Sequence, residues 1–130
     1  MALKISPKVT TILCVSLIKC LQHKKITEVI IEEGITAIGS YAFRGCTNLK
    51  SIIMPESVVA IQGYAFSGCK SLELIELHEG ITTIWNNAFY GCSNLKYVFI
   101  PSTITEIGHE ILSDSPAFIC SDKADCYESG

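Results

Sequence analysis

Residues 41–46 read Tyr-Ala-Phe-Arg-Gly-Cys, residues 64–69 Tyr-Ala-Phe-Ser-Gly-Cys and residues 87–92 Asn-Ala-Phe-Tyr-Gly-Cys. The word recurs every 23 residues, and the columns around it keep the same step. Ile35, Val58, Ile81 and Ile104 form one column, and Ile38, Ile61, Ile84 and Ile107 a second. Leu49, Leu72 and Leu95 form a third, which Phe118 is expected to continue. Val29, Ile52, Ile75 and Val98 are in phase, as are Ile31, Met54, Leu77 and Ile100. So many apolar columns at one spacing mark an array of structural repeats, each unable to bury its apolar edge alone.

Within a unit, segments such as Ser51-Ile52-Ile53-Met54-Pro55 alternate with period two, which is a strand signal. Ile52 and Met54 should point inward and Ile53 outward. Pro55, Pro101 or the pairs Glu33-Gly34 and Glu79-Gly80 end the strand. A second short extended piece should carry the next inward pair, such as Val58 and Ile61. The Ala-Phe-x-Gly-Cys word is too short for a long helix. It predicts one helical or 3-10 turn closed by Gly45, Gly68 or Gly91, where a left-handed backbone costs glycine little. Stacked coils should set the strands side by side as a parallel sheet, at about 4.8 Å spacing. Phe43, Phe66 and Phe89 should form an aromatic ladder inside.

A 23-residue period falls in the range of leucine-rich repeats. The predicted fold is therefore an α/β repeat, a right-handed solenoid of about five coils. Its short parallel strands are expected on the concave face and its helical or 3-10 turns on the convex face. The expected organisation is one domain over residues 1–130. A degenerate first coil covers 1–25, regular coils cover 26–48, 49–71 and 72–94, and a degenerate last coil with a cap covers 95–130. The first coil joins the pattern once three residues are inserted between Cys20 and Val29. Leu3 and Ile5 then take strand positions, Val9 and Ile12 the next columns, Leu17 the Phe position and Cys20 the Cys position. In the last coil Ile111-Leu112 replaces Ala-Phe and Ser115 replaces Cys.

Composition agrees with a packed domain. The chain has 130 residues, 48% of them hydrophobic, and a net charge of -3, which excludes the disordered class. No basic stripe stands out, so nucleic acid is not an expected partner. No stretch reaches the ~18 uninterrupted apolar residues of a membrane span. Lys4 and Lys8 ahead of the apolar run 9–18 have the outline of a signal peptide, but no small-x-small cleavage site follows. The degenerate first coil is the preferred reading of that segment.

Residues 53–77, "IMPESVVAIQGYAFSGCKSLELIEL", resemble the BspA-type leucine-rich repeat of bacterial surface antigens and large protist families. The Ala-Phe-x-Gly-Cys-x-x-Leu core is the most specific part. The resemblance covers residues 26–118, and 3–25 with the insertion. The ending "FICSDKADCYESG" resembles a worn capping tail. This resemblance implies an extracellular or surface-associated protein that binds proteins of a host or partner cell. The lack of a clear signal peptide and anchor points instead to the cytoplasm, and the two localisations stay open.

The seven cysteines cannot all pair within one chain. Cys46, Cys69 and Cys92 share a column and are expected to stack as a buried ladder of small hydrophobes. No CxxC or zinc-finger spacing occurs, and neither a metal nor a cofactor is expected. Cys120 and Cys126 lie outside the ladder, where an oxidising compartment would allow a disulfide. His23, His78 and His109 fall in different coils and columns and are expected at the surface. Glu32, Glu33, Glu56 and Glu79 read as solvated strand exits. No nucleophile elbow, P-loop or dinucleotide fingerprint appears. Asn48, Asn86, Asn87 and Asn94 all fail the glycosylation sequon.

The outward strand column is the informative one. It runs Lys4, Ile30, Ile53, Glu76 and Phe99, flanked by Glu28, Ser51, Leu74 and Tyr97. Ile30, Ile53, Leu74, Glu76, Tyr97 and Phe99 are the candidate protein-binding face, because an exposed apolar and aromatic patch marks an interface. Trp85 breaks a column of Gly39, Gln62 and Gly108. It is read either as part of a second contact site with Tyr41 and Tyr64, or as core filling at a corner. The expected function is non-catalytic binding of a protein partner, or adhesion, through the sheet face. The alternative is a cytoplasmic scaffold that self-associates through that face or its end coils.

Overall fold

The computed structural model describes residues 2–5, 12–13 and 26–120. Eleven short strands occur among them. They are β1 (Ala2–Ile5), β2 (Ile12–Leu13), β3 (Glu28–Ile31), β4 (Ala37–Ile38), β5 (Ser51–Ile53), β6 (Ala60–Ile61), β7 (Leu74–Glu76), β8 (Thr83–Ile84), β9 (Tyr97–Phe99), β10 (Glu106–Ile107) and β11 (Phe118–Cys120). All recorded pairings are parallel. Each coil gives one strand to each of two layers, so the chain is a parallel-strand β-solenoid. The odd-numbered strands lie in two three-stranded sheets, β1-β3-β5 and β11-β9-β7, while the even-numbered ones form one sheet, β10-β8-β6-β4-β2. The single sheet expected for the first layer is thus interrupted between β5 and β7.

The registers follow the repeat. Val29 pairs with Ile52, Ile75 with Val98, and Ile38 with Ile61, which in turn pairs with Ile84. Leu3 pairs with Val29 and Ile5 with Ile31, as the three-residue insertion requires. Two positions differ from the sequence reading. Leu13, not Ile12, pairs with Ile38. Phe118 pairs with Tyr97 rather than following Leu95, because the last coil is two residues shorter between Ser115 and its strand. Val9, Leu17 and Cys20 lie outside the described residues.

The expected helical or 3-10 turn is corrected. Among the described residues there is no helix; the Ala-Phe-x-Gly-Cys word makes two successive tight turns. The reason lies in where the N–H groups go. Arg44 N–H donates to Tyr41 O at 3.1 Å and Cys46 N–H to Phe43 O at 3.2 Å. The N–H groups that alternate with these leave the coil: Tyr41 donates to Gly63 O at 3.1 Å, Phe43 to Ala65 O at 2.7 Å and Gly45 to Ser67 O at 2.8 Å. In a helix N–H groups run along the axis of their own segment, not sideways to carbonyls of the next coil. The alternation requires left-handed residues, and Tyr41 (φ 62°) and Gly45 (φ 75°) supply them, as do Tyr64 (φ 57°) and Gly68 (φ 74°) one coil on.

The core is the stack of inward columns. Ile35, Val58, Ile81, Leu49, Leu72 and Leu95 are fully buried. The rings of Phe43 and Phe66 lie 5.3 Å apart at 6°, and those of Phe66 and Phe89 5.6 Å apart at 8°. These are offset stacks, favoured over eclipsed ones by the ring quadrupole. Hydroxyls lock adjacent coils together. Ser57 Oγ accepts from Gly34 N–H at 3.1 Å and donates to Ile35 O at 2.7 Å. Thr103 Oγ1 does the same for Gly80 N–H at 3.1 Å and Ile81 O at 2.8 Å.

Candidate interaction face and the cysteine column

In the first layer alternate side chains turn away from the core, which is the geometry a binding face needs. Ile53 and Leu74 are exposed, at 51% and 39%. Glu76 is exposed, and Ile30 and Tyr97 are half-buried. The ladder places Lys4 beside Ile30 and Ile30 beside Ile53. Across the break it places Leu74 beside Tyr97 and Glu76 beside Phe99. The six residues therefore form two groups, one on each side of the interruption between β5 and β7.

Phe99 is a correction. It is only 6% exposed and packs with Cys120 and Tyr97 in a small second cluster. Alternation does point it away from the main core. However, β11 places Cys120 directly beside it, and the Tyr97 ring lies 6.2 Å away. Phe118 takes part of the expected role. It continues the Leu74–Tyr97 row and is 68% exposed. The two-residue deletion that moved it there was the missed signal.

Trp85 is 51% exposed, so it does not fill the core. With Tyr64, Asn86, Glu106 and Ile107 it lines an open cleft of about 360 Å³. Tyr41 stacks on Tyr64 at 5.1 Å, and the Arg44 guanidinium lies 5.5 Å from the Tyr41 ring centre. Gly108 closes one wall. A Cβ there would meet Asn86 Oδ1, and would lie 2.5 Å from Asn86 N and 2.7 Å from Trp85 C.

The cysteine column does more than fill space. Cys69 Sγ donates to Phe43 O at 3.2 Å and Cys92 Sγ to Phe66 O at 3.1 Å. Where Ser115 replaces the cysteine, its Oγ donates to Phe89 O at 2.6 Å and also accepts from Cys92 N–H at 3.0 Å. The position selects a small donor that satisfies the Phe carbonyl of the preceding coil. Cys69 and Cys92 are free and buried. Burial, with the neighbouring Cys92, pushes the Cys69 thiol far above its ordinary value, and burial pushes Cys92 up to about 11. Both stay protonated at neutral pH, which removes their nucleophilic form. Cys46 and Cys120 are disulfide-bonded. All three cysteines of the column are buried, as expected of the ladder, with Cys46 oxidised and Cys69 and Cys92 free; Cys126 lies outside the described residues.

His109 is exposed, whereas His78 is half-buried. Its Nδ1 lies 2.8 Å from Glu79 O, and its Nε2 is buried without a partner among the described residues. His23 lies outside them. No cluster of three metal-ligating side chains occurs among the described residues, and no helix there is long and apolar enough to cross a membrane.

The model of the BspA-type leucine-rich repeat region matches residues 18–119 in six copies. A leucine-rich cell surface protein of Faecalibacterium prausnitzii is similar in structure, with a TM-score of 0.76 and 26% identity over 98% of this chain and 34% of its own. The pneumococcal vaccine antigen PcpA shares the fold, with a TM-score of 0.68 and 22% identity over 90% of this chain and 30% of its own. So does a leucine-rich repeat protein of Eubacterium ventriosum, at 0.66 and 22% over 92% and 40%. This chain spans about a third of the length of these structures. No curated relative matches it. Leucine-rich repeats of this kind generally mediate contact between proteins rather than catalysis. With residues 18–119 covered, the chain belongs to the BspA-type leucine-rich repeat family.

Proposed function

We propose that this chain is a non-catalytic protein-binding or adhesion module. It engages a protein partner through the outward residues of the first strand layer, Ile30, Ile53, Leu74, Glu76 and Tyr97. The observation that carries this reading is the exposure of Ile53 and Leu74, on strands that each pair with a neighbour in the same layer. Large apolar side chains on a preorganised sheet lose little entropy on binding, and they act as anchors. Glu76 beside them adds a charge that selects among partners. Against catalysis stand the protonated, buried thiols of Cys69 and Cys92 and the separation of the histidines. The disulfides at Cys46 and Cys120 support an oxidising compartment, hence a secreted or surface-exposed protein.

The test is binding of the purified chain to a panel of immobilised extracellular proteins, repeated with Ile53→Lys and Leu74→Lys together. The affinity for any captured partner should fall at least ~30-fold, as loss of a central anchor pair implies. The melting temperature should barely move, since both sites are exposed. Binding that survives both substitutions would sink the assignment of this face.

A further inference from the structure

The cleft around Trp85 lies on the second strand layer, and its chemistry differs from that of the face at Ile53 and Leu74. The parallel pairing of β8 with β10 sets Thr83 beside Glu106 and Ile84 beside Ile107. The extended pairing runs on by one residue, since Trp85 N–H donates to Ile61 O at 2.9 Å and Gly108 N–H to Ile84 O at 2.7 Å. Ile84 is fully buried, so Thr83 and Trp85 turn outward, and Glu106 turns outward with its partner Thr83. Trp85 and Glu106 therefore stand diagonally on adjacent coils, both exposed and both lining the cleft. Both point away from the stack, so a further coil beyond β10 would lengthen this surface without covering it.

The indole is left open by both neighbours in its column. Gln62 is tied back to the preceding coil, where its Oε1 accepts from Ser40 N–H at 3.2 Å. Gly108 has no side chain, and the backbone of Trp85 and Asn86 leaves no room for one. The polar atoms nearby are mostly engaged. Asn86 Oδ1 accepts from His109 N–H, and Thr83 Oγ1 shares a hydrogen bond with Thr82 Oγ1 at 3.3 Å. The carboxylate of Glu106 differs, having no ion-pair partner among the described residues. No Lys, Arg or His among the described residues lines the cleft.

An open indole beside an unengaged carboxylate attracts a cation, because the ring face and the carboxylate draw the same sign of charge. The chain itself displays half of such a contact. The Arg44 guanidinium lies 5.5 Å from the Tyr41 ring centre, and Tyr41 stacks on Tyr64, which lines the cleft. A sugar also stacks on indole, but it needs several free donors and acceptors, and those of Asn86 Oδ1 and Thr83 Oγ1 are taken. A guanidinium suits the pair better than an ammonium. It is flat, so it lies on the indole while its edge donates two N–H groups to the carboxylate. We propose that the cleft receives an arginine side chain presented by a protein partner, stacked on Trp85 and paired with Glu106. This contact shares no residue with the face at Ile53 and Leu74, so either reading can fail without the other.

Trp85 is the only tryptophan of the chain, so its fluorescence and its single indole N–H resonance both report on the cleft. The intact chain is titrated with the peptide acetyl-Gly-Arg-Gly-amide. A second titration uses the same peptide with citrulline for arginine, which keeps the shape and loses the charge. The arginine peptide should shift both signals saturably and bind at least ~10-fold more tightly than the citrulline peptide. Glu106→Gln should lower the arginine affinity by a similar factor and leave the melting temperature unchanged, because the side chain is exposed. Equal affinity for the two peptides overturns the proposal. So does an arginine peptide that moves neither signal, or one that binds Glu106→Gln undiminished. A response to the neutral disaccharide lactose in place of the peptide also overturns it and assigns the cleft to a glycan. Ile53→Lys with Leu74→Lys should leave the titration unaltered; a loss of the arginine response there would move the site to the other layer and overturn this one.

Discussion

Replacing Phe66 with Ala should be among the most costly single changes in the described residues. The ring is fully buried and has a phenyl neighbour on each side, at 5.3 Å and 5.6 Å. Truncation of a buried Phe costs about 3–5 kcal/mol, from lost transfer energy and the cavity left behind. Each ring stack contributes about 0.5–1.5 kcal/mol of that. For a chain of this size, roughly 4 kcal/mol lowers the melting temperature by about 10–20 °C. The bonds to the Phe66 backbone, from its N–H to Ala88 O and from Cys92 Sγ to its carbonyl, do not involve the ring and should persist. Urea unfolding followed by circular dichroism gives the loss. Phe89 provides the internal comparison, since the structure records one ring stack for it rather than two. Phe89→Ala should therefore cost less by about one stack, ~0.5–1.5 kcal/mol. A loss below ~1.5 kcal/mol at Phe66, or a larger loss at Phe89, would refute the ladder as the main support of the core.

Gly108→Ala should destabilise by about 1–3 kcal/mol and shift the emission of Trp85, because its Cβ meets backbone that cannot swing aside. Gly63→Ala, where the nearest atom is Asn86 O at 3.3 Å, should cost much less, and equal losses at the two sites would contradict the close approach. Stability should fall as pH rises from 9 toward 11. The unfolded thiols ionise near 9.0 while folded Cys69 and Cys92 keep their protons, so the folded state then binds more protons. The slope is at most ~1.4 kcal/mol per pH unit for each thiol, and a urea midpoint unchanged by replacing either cysteine with Ala across that window would argue against it. Alkylation in denaturant without reductant, read by peptide mapping, should label Cys69 and Cys92 and leave Cys46 and Cys120 unlabelled. Seven labelled thiols would place the chain in a reducing compartment.

The columns that were legible in the sequence are those set by periodicity alone. Ile35, Val58 and Ile81 are buried because position in the repeat decides position in the coil, whatever the neighbours. The second extended piece was also readable, and it became β4, β6, β8 and β10. Three readings failed for local reasons. Phe118 moved to the outer row because a deletion of two residues precedes it, which fixed spacing cannot register. Phe99 was placed at the surface by alternation, but its exposure depends on what the following strand brings beside it, and β11 brings Cys120. The turn was mistaken for a helix because Ala-Phe-x-Gly-Cys has acceptable helix propensity. Only its N–H partners, one in the coil and the next in the following coil, exclude the helix. The exposure of Ile53 and Leu74 was predictable; the break between their strands was not.

The bonds between coils act as a ruler. Phe43 reaches Ala65, Phe66 reaches Ala88 and Phe89 reaches Ile111, each at the same offset of 22. Duplicating one whole coil would reproduce every donor and acceptor, whereas adding one residue within a coil would strand several of them. Array length is therefore open to change by unequal recombination in steps of 23 residues, while smaller changes are confined to the stretch between a turn and the next strand. The deletion before Phe118 falls there. Relatives of the fold can thus differ several-fold in length and still present the same surface rows, so the reach of such a protein can evolve separately from what each coil displays.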